Sequence, residues 1–266
     1  MDAAAIALVL VAAGLHAGWN LRLHGVQDRP AAMAVSGLAS AAFLIAFLVW
    51  RPPFAVWPSI VVSGLAETVY VLALAGAYER GDLAATYPVG RGTSPLLVTL
   101  GAWLVLSQRP SNAALAGAIC LAAGLVLLAI RAGRARMLPA TGLALVVGVA
   151  IATYSVADAH AIASGAFAPA YLCATQGLQG LLTLALVRPG TARLRGSLRD
   201  GALIAMGSVG AYVLVLVAFS LAAAGRVATL REVSVLLALL AARRRPGLLG
   251  WAGAGLVVVG AVLAAR

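Results

Sequence analysis

The sequence predicts an all-α integral membrane protein of ten transmembrane helices, arranged as two inverted five-helix repeats. Three observations carry that reading. The 266 residues are 63% apolar and only 10% charged, whereas a soluble domain is about a quarter charged. Apolar runs long enough to cross roughly 30 Å of hydrocarbon recur along the whole length. The chain is also built twice, because Arg-x-x-Ser-x-Leu-Leu occurs at 91–97 and again at 231–237.

The predicted helices follow from the apolar runs and the arginines that bound them. The first, Ala3–Leu21, ends at Arg22. Met1-Asp2 supplies no basic n-region, so this run reads as a retained helix and not as a cleaved leader. The second, Ala31–Trp50, lies between Arg29 and Arg51, and the third, Phe54–Tyr78, ends before Arg80. The fourth, Leu83–Leu106, contains Arg91 with Pro88 and Pro95. The fifth, Asn112–Ile130, meets the basic linker 131–136, which divides the chain into repeats 1–134 and 135–266. The second set is Pro139–Ala159, Phe167–Val187, Gly201–Ala222, Arg226–Ala242 and Gly247–Ala265.

The duplication reaches beyond the arginine motif. Tyr70-Val-Leu answers Tyr212-Val-Leu, and Gly117-Ala118 with Gly124 answers Gly253-Ala254 with Gly260. Five helices per half is an odd number, so the second half enters the membrane in the opposite sense. Inverted repeats of this kind are a frequent plan for secondary transporters with a site near the midplane.

The net charge of +11 does not point to nucleic acid. All 19 basic residues are arginine, and most sit in short loops, not in one patch. Thirteen fall after the odd-numbered helices and four on the other side, with Arg91 and Arg231 left inside helices. By the positive-inside rule both termini are expected outside the cytoplasm of a plasma (inner) membrane. Cys120 and Cys173 lie in apolar segments without metal or disulfide spacing. No enzyme signature, metal site or cofactor motif is found.

The candidate site is drawn from polar residues within apolar runs. An ionised side chain at the centre of a membrane helix costs roughly 2.5–3.5 kcal/mol on insertion scales. Arg91, about eight residues or roughly 12 Å into its helix, and Arg231 therefore need partners. They are expected either to meet a solute carboxylate, phosphate or carbonyl or to form static salt bridges. Glu67 is a proton-coupling candidate or a partner for Arg91. Glu232 follows Arg231 but points about 100° away from it on the helix. His16 and Asn20 share a face beside Trp19, and His16 is a further proton-coupling candidate. Tyr70, Tyr87, Ser94, Tyr212 and Ser234 complete the expected solute-binding set. Two arginines against two glutamates favour a neutral or zwitterionic solute. Tyr154 and Ser155 occupy the comparable place in the sixth helix, while Asp158 and His160 are expected at its outer edge. Pro88 and Pro95 suggest a hinge or an unwound segment, with a static kink as the alternative. The small-residue stripes of the fifth and tenth helices indicate close packing, within the chain or as a homodimer interface.

The motifs His16-Ala-Gly-Trp19-Asn20 and Tyr78-Glu-Arg-Gly-Asp82 through Ser94-Pro95-Leu96 sit in a duplicated five-helix plan. In these features the chain resembles the drug/metabolite transporter superfamily, specifically its ten-helix EamA-type members. The resemblance implies a central cavity lined by the first, third, fourth, sixth, eighth and ninth helices, with the fifth and tenth peripheral. It implies efflux of small metabolites, amino acids or drugs, often coupled to an ion gradient. Members commonly end the fourth and ninth helices with Gly-Glu; here those places read Ser107-Gln108-Arg109-Pro110 and Arg243-Arg244-Arg245-Pro246.

The leading expectation is a secondary transporter that exports a small polar or amphipathic, amino-acid-like metabolite by alternating access. Its partners are a small-molecule solute and the lipid bilayer. A flippase for a lipid-linked headgroup is the second reading. A non-transporting membrane partner or sensor, with fixed inner salt bridges, is the third.

Overall fold

The computed structural model describes residues 1–80, 83–131, 141–241 and 247–266, with backbone alone at 83–87, 131 and 238–241. Among the described residues only helical elements and their connections occur. They are α1 (Ala3–Gly25), α2 (Arg29–Trp50), α3 (Trp57–Arg80), α4 (Leu83–Leu106), α5 (Asn112–Arg131), α6 (Thr141–Ala163), α7 (Ala168–Val187), α8 (Thr191–Leu221), α9 (Ala224–Arg231), α10 (Val233–Ala241) and α11 (Leu248–Ala265). A short 3₁₀ turn, Phe54–Val56, precedes α3. Nine of these helices are long and apolar enough to cross a membrane. Their outward faces carry residues such as Val11, Phe43, Leu104, Leu186, Met206 and Trp251, all exposed. Apolar side chains around the whole bundle are the mark of a lipid-facing surface, so the chain is an all-α, multi-pass membrane protein.

Local chemistry sets the ends. Asp2 caps α1 by accepting from Ala5 N at 2.7 Å, and Asp28 caps α2 by accepting from Ala31 N at 3.2 Å. Ser111 does the same for α5 through Ala114 N at 3.2 Å. Each satisfies a backbone donor that the first helical turn leaves open. α7 closes on Arg188 in the left-handed region at φ 46, just before Pro189-Gly190, which cannot continue a helix.

Three expectations need correction. The ninth segment is not one helix: it breaks at Glu232, between α9 and α10. The expected unwinding of the fourth segment does not occur, since α4 stays helical through Pro88 and Pro95. α8 begins ten residues earlier than the apolar pattern indicates. Its polar first turns are held by ion pairs to the α1–α2 region, Arg193 to Asp28 at 2.5 Å and Asp200 to Arg22 at 2.5 Å. The Arg193 guanidinium holds the Asp28 carboxyl below its ordinary range. The linker arginines at 134 and 136, the repeat boundary, Asp82, Pro139 and Arg243–Arg245 lie outside the described residues.

Helix pairing follows a regular scheme. α1 packs on α8 and α6 on α3; α2 packs on α7 and α5 on α11; α4 packs on both α6 and α9. At one end of the bundle the Met1 amine donates to Ala265 O at 2.8 Å, so both termini lie side by side.

The small-residue stripes of α5 and α11 face each other within the chain. A Cβ added at Gly117 would lie 2.8 Å from Gly260 O, and one at Gly124 would lie 2.6 Å from Gly253 O. The backbones touch, as small residues permit between membrane helices. Gly124→Val and Gly260→Val should each destabilise the protein by about 1–3 kcal/mol, read as a lower midpoint in thermal unfolding in detergent. Gly255→Val, where a Cβ meets nothing within 4 Å, should leave that midpoint nearly unchanged.

Candidate functional site

The interior of the bundle holds two polar groups of residues. The first is ionic. Arg91 on α4 and Glu232 at the α9–α10 break are fully enclosed, and their Nε and Oε2 atoms stand 2.8 Å apart. Arg91 Nη2 also donates to Ser234 Oγ at 3.3 Å, and Ser94 Oγ donates to the Arg91 carbonyl at 3.1 Å. Arg231 Nε is 4.0 Å from Glu232 Oε1. One glutamate thus lies between two arginines, one from each half. Arg231 and Glu232, expected from their helix positions not to form a simple pair, meet at 4.0 Å, while the closer contact runs to Arg91. Glu67, weighed as the partner of Arg91, pairs elsewhere.

The break at Glu232 has a local cause. Its φ and ψ, −69 and −8, stay in the right-handed region, but its N–H turns to Thr229 O, three residues back, at 3.2 Å. Val235 N then takes up Glu232 O at 2.9 Å to start α10. A partly freed backbone turn inside hydrocarbon is tolerated where protein surrounds it, and here it carries the carboxylate that neutralises Arg91.

The second group surrounds a small cavity of about 60 Å³. Its wall includes His16 and Trp19 from α1, Glu67 and Tyr70 from α3, Tyr154 from α6, and Gln176 and Gln179 from α7. Ser208 and Tyr212 from α8 and Ser36 from α2 complete the polar wall, with Met33, Val71 and Leu172 among its apolar surfaces. Gln176 Nε2 donates to Glu67 Oε2 at 2.7 Å. Tyr70, Tyr154 and Tyr212 form an edge-to-face ladder with successive centroids 6.0 Å and 6.0 Å apart. His16 and Trp19 meet edge to face at 4.6 Å, and Asn20 Nδ2 donates to His16 O at 2.9 Å. Among the described residues His16 Nε2, Trp19 Nε1 and Asn20 Oδ1 are buried without a hydrogen-bond partner. Such groups are rare in settled interiors and call for water or a ligand.

Behind this wall sits Asp158, which is completely buried. Tyr171 OH donates to its Oδ1 at 2.8 Å, and the Tyr212 hydroxyl donates to Oδ2. The expectation that Asp158 lies at an outer edge is corrected: α6 runs on to Ala163, which carries Asp158 inside, while His160 is exposed. The structure therefore joins His16, Trp19, Glu67, Tyr70 and Tyr212 of the expected set at one cavity. Arg91, Arg231, Ser94, Ser234 and Glu232 form the separate ionic group and are not on the cavity wall. The side chain of Tyr87 lies outside the described residues. Sequence reasoning missed Gln176, Gln179 and Ser208, although polar amides inside an apolar run were a usable signal for the first two.

Breaking the ionic group has a clear consequence. Glu232→Ala leaves a guanidinium buried and uncompensated, which should destabilise the protein by about 3–5 kcal/mol. The paired apolar variant Arg91→Met/Glu232→Leu should recover most of that loss in the same thermal unfolding assay. Equal stability of the wild type and Glu232→Ala would contradict the ion pair.

Comparison with known proteins bears on the fold alone. No family model matches the chain, and no curated protein matches it. Twenty-three solved chains match in structure. One, from a crystal structure of another protein, is 21% identical at a TM-score of 0.72 and covers 99% of this chain and 98% of its own. At 21% identity the likeness shows the fold alone.

Proposed function

We propose that the chain is a secondary transporter of the drug/metabolite type. In this reading it exports a small polar or amphipathic metabolite from the cytoplasm by alternating access. α1–α5 and α6–α11 are two inverted repeats, with α9 and α10 together the counterpart of α4. The membrane is the plasma (inner) membrane, and both termini face away from the cytoplasm.

The observation that carries the reading is the cavity at the meeting of α1, α3, α6, α7 and α8, walled by ionisable and unpartnered polar groups. Polar groups inside the bilayer are costly and mark solute or ion pathways. The pairing of α1 with α8 and of α6 with α3 supports it, because two matching contacts of this kind fit a plan in which one repeat moves against the other. Glu67 is the proton-sensitive group, and His16, Trp19, Tyr70 and Tyr212 contact the solute. The arginine–glutamate set fixes the broken segment that moves beside them.

A flippase remains the second reading on one observation. An apolar groove of about 520 Å³ runs between α3, α4 and α6, lined by residues such as Pro58, Val62, Leu97, Val105 and Val156. It shares no lining residue with the central cavity, which places it second.

Cells expressing the wild type should enrich at least one small metabolite in the medium relative to cells expressing an equally abundant Glu67→Gln protein. Metabolite profiles that match for both proteins and for empty cells would count against transport of a water-soluble solute.

A further inference from the structure

The cavity's chemistry narrows the class of solute, and this inference rests on the transport reading above. Besides His16, two arginines and three carboxylic side chains are buried in the described interior: Arg91 and Arg231 against Glu67, Asp158 and Glu232. Glu232 is matched by Arg91 at 2.8 Å, with Arg231 at 4.0 Å. Neither arginine is on the cavity wall, whereas Glu67 is. Inclusion of Asp158 turns the balance expected from the sequence into an acidic excess, and that excess lies on the cavity side.

The rest of the wall has the same preference. Trp19, Tyr70, Tyr154 and Tyr212 give it an unusually aromatic surface, in a chain with 6% aromatic residues overall. Aromatic rings attract cations through their quadrupoles, most strongly when water is excluded. Gln176 engages one oxygen of Glu67 at 2.7 Å and so holds the carboxylate in place. His16 Nε2 is buried without a partner among the described residues and, in the tautomer that carries its proton on Nδ1, can accept from an ammonium group. Among the described residues no lysine or arginine lines the space to repel a positive charge.

We infer that the cavity recognises a small organic cation, its ammonium group held by the Glu67 carboxylate and enclosed by the rings of Trp19, Tyr70, Tyr154 and Tyr212. The cavity's modest volume, about 60 Å³, restricts the enclosed part to a compact head.

The test is equilibrium binding of tetramethylammonium to the purified full chain in detergent, with acetate as the anionic comparison. Tetramethylammonium should bind saturably and acetate should not. Glu67→Gln should weaken binding at least about tenfold. Tyr154→Phe should keep it and Tyr154→Leu should lose it, a contrast that a merely structural tyrosine would not give. Saturable acetate binding without tetramethylammonium binding would overturn the inference, as would tetramethylammonium binding indifferent to Glu67→Gln and Tyr154→Leu. Counterflow in proteoliposomes separates the two claims. Transport of an anionic or neutral solute with no cation binding sinks the cation inference and leaves the transporter. Cation binding with no counterflow leaves the cation site and sinks the transporter.

Discussion

The structure depends on one constraint: an ionised group in the hydrocarbon core must be neutralised by another group of the same protein. Arg91 cannot reach water from its place on α4, where it is fully enclosed. Its carboxylate partner comes from the other half of the chain, at the break between α9 and α10. Either charge alone is strongly unfavourable in such surroundings. The pair therefore ties α4 to the α9–α10 break and fixes how the two halves meet.

The same logic shapes the cavity. Asp158 is buried behind two tyrosine hydroxyls, so its polarity is met by donors from α7 and α8. Glu67 has an amide donor from α7. Hydrogen-bond donors thus recruit helices from both halves around one space, while apolar faces turn outward to lipid. Close glycine contacts between α5 and α11 anchor the periphery and leave the polar work to the helices at the centre. Two kinds of interface follow, one dry and backbone-tight, the other polar with unpartnered donors and acceptors.

The helical membrane character was legible because the bilayer dictates it. Hydrocarbon thickness sets the length of apolar runs, and helix ends fell within a few residues of the arginines and caps that bound them. The sequence marked Arg91, Arg231, Glu67 and His16 as unusual for the same reason. What it could not show depends on distant partners. Two prolines in α4 suggested a break that did not form, while the break came at Glu232 with neither proline nor glycine beside it. The carboxylate at that break meets a guanidinium more than a hundred residues away, on α4. Asp158 looked peripheral from its nearness to a predicted helix end, but Tyr171 and Tyr212 make its burial tolerable. The polar start of α8 was invisible to an apolar pattern because ion pairs to Asp28 and Arg22 hold it.

The central claim is that the polar interior is a passage and not a fixed scaffold. Its most direct test places one cysteine at Ser208, on the cavity wall, in a chain with Cys120 and Cys173 replaced by alanine. Sealed membranes of known orientation are then exposed to a membrane-impermeant maleimide from one side or the other. The account predicts modification from both sides, in a proportion that shifts when a transported solute is added. Cysteine that stays unmodified from either side until the protein is denatured would contradict it.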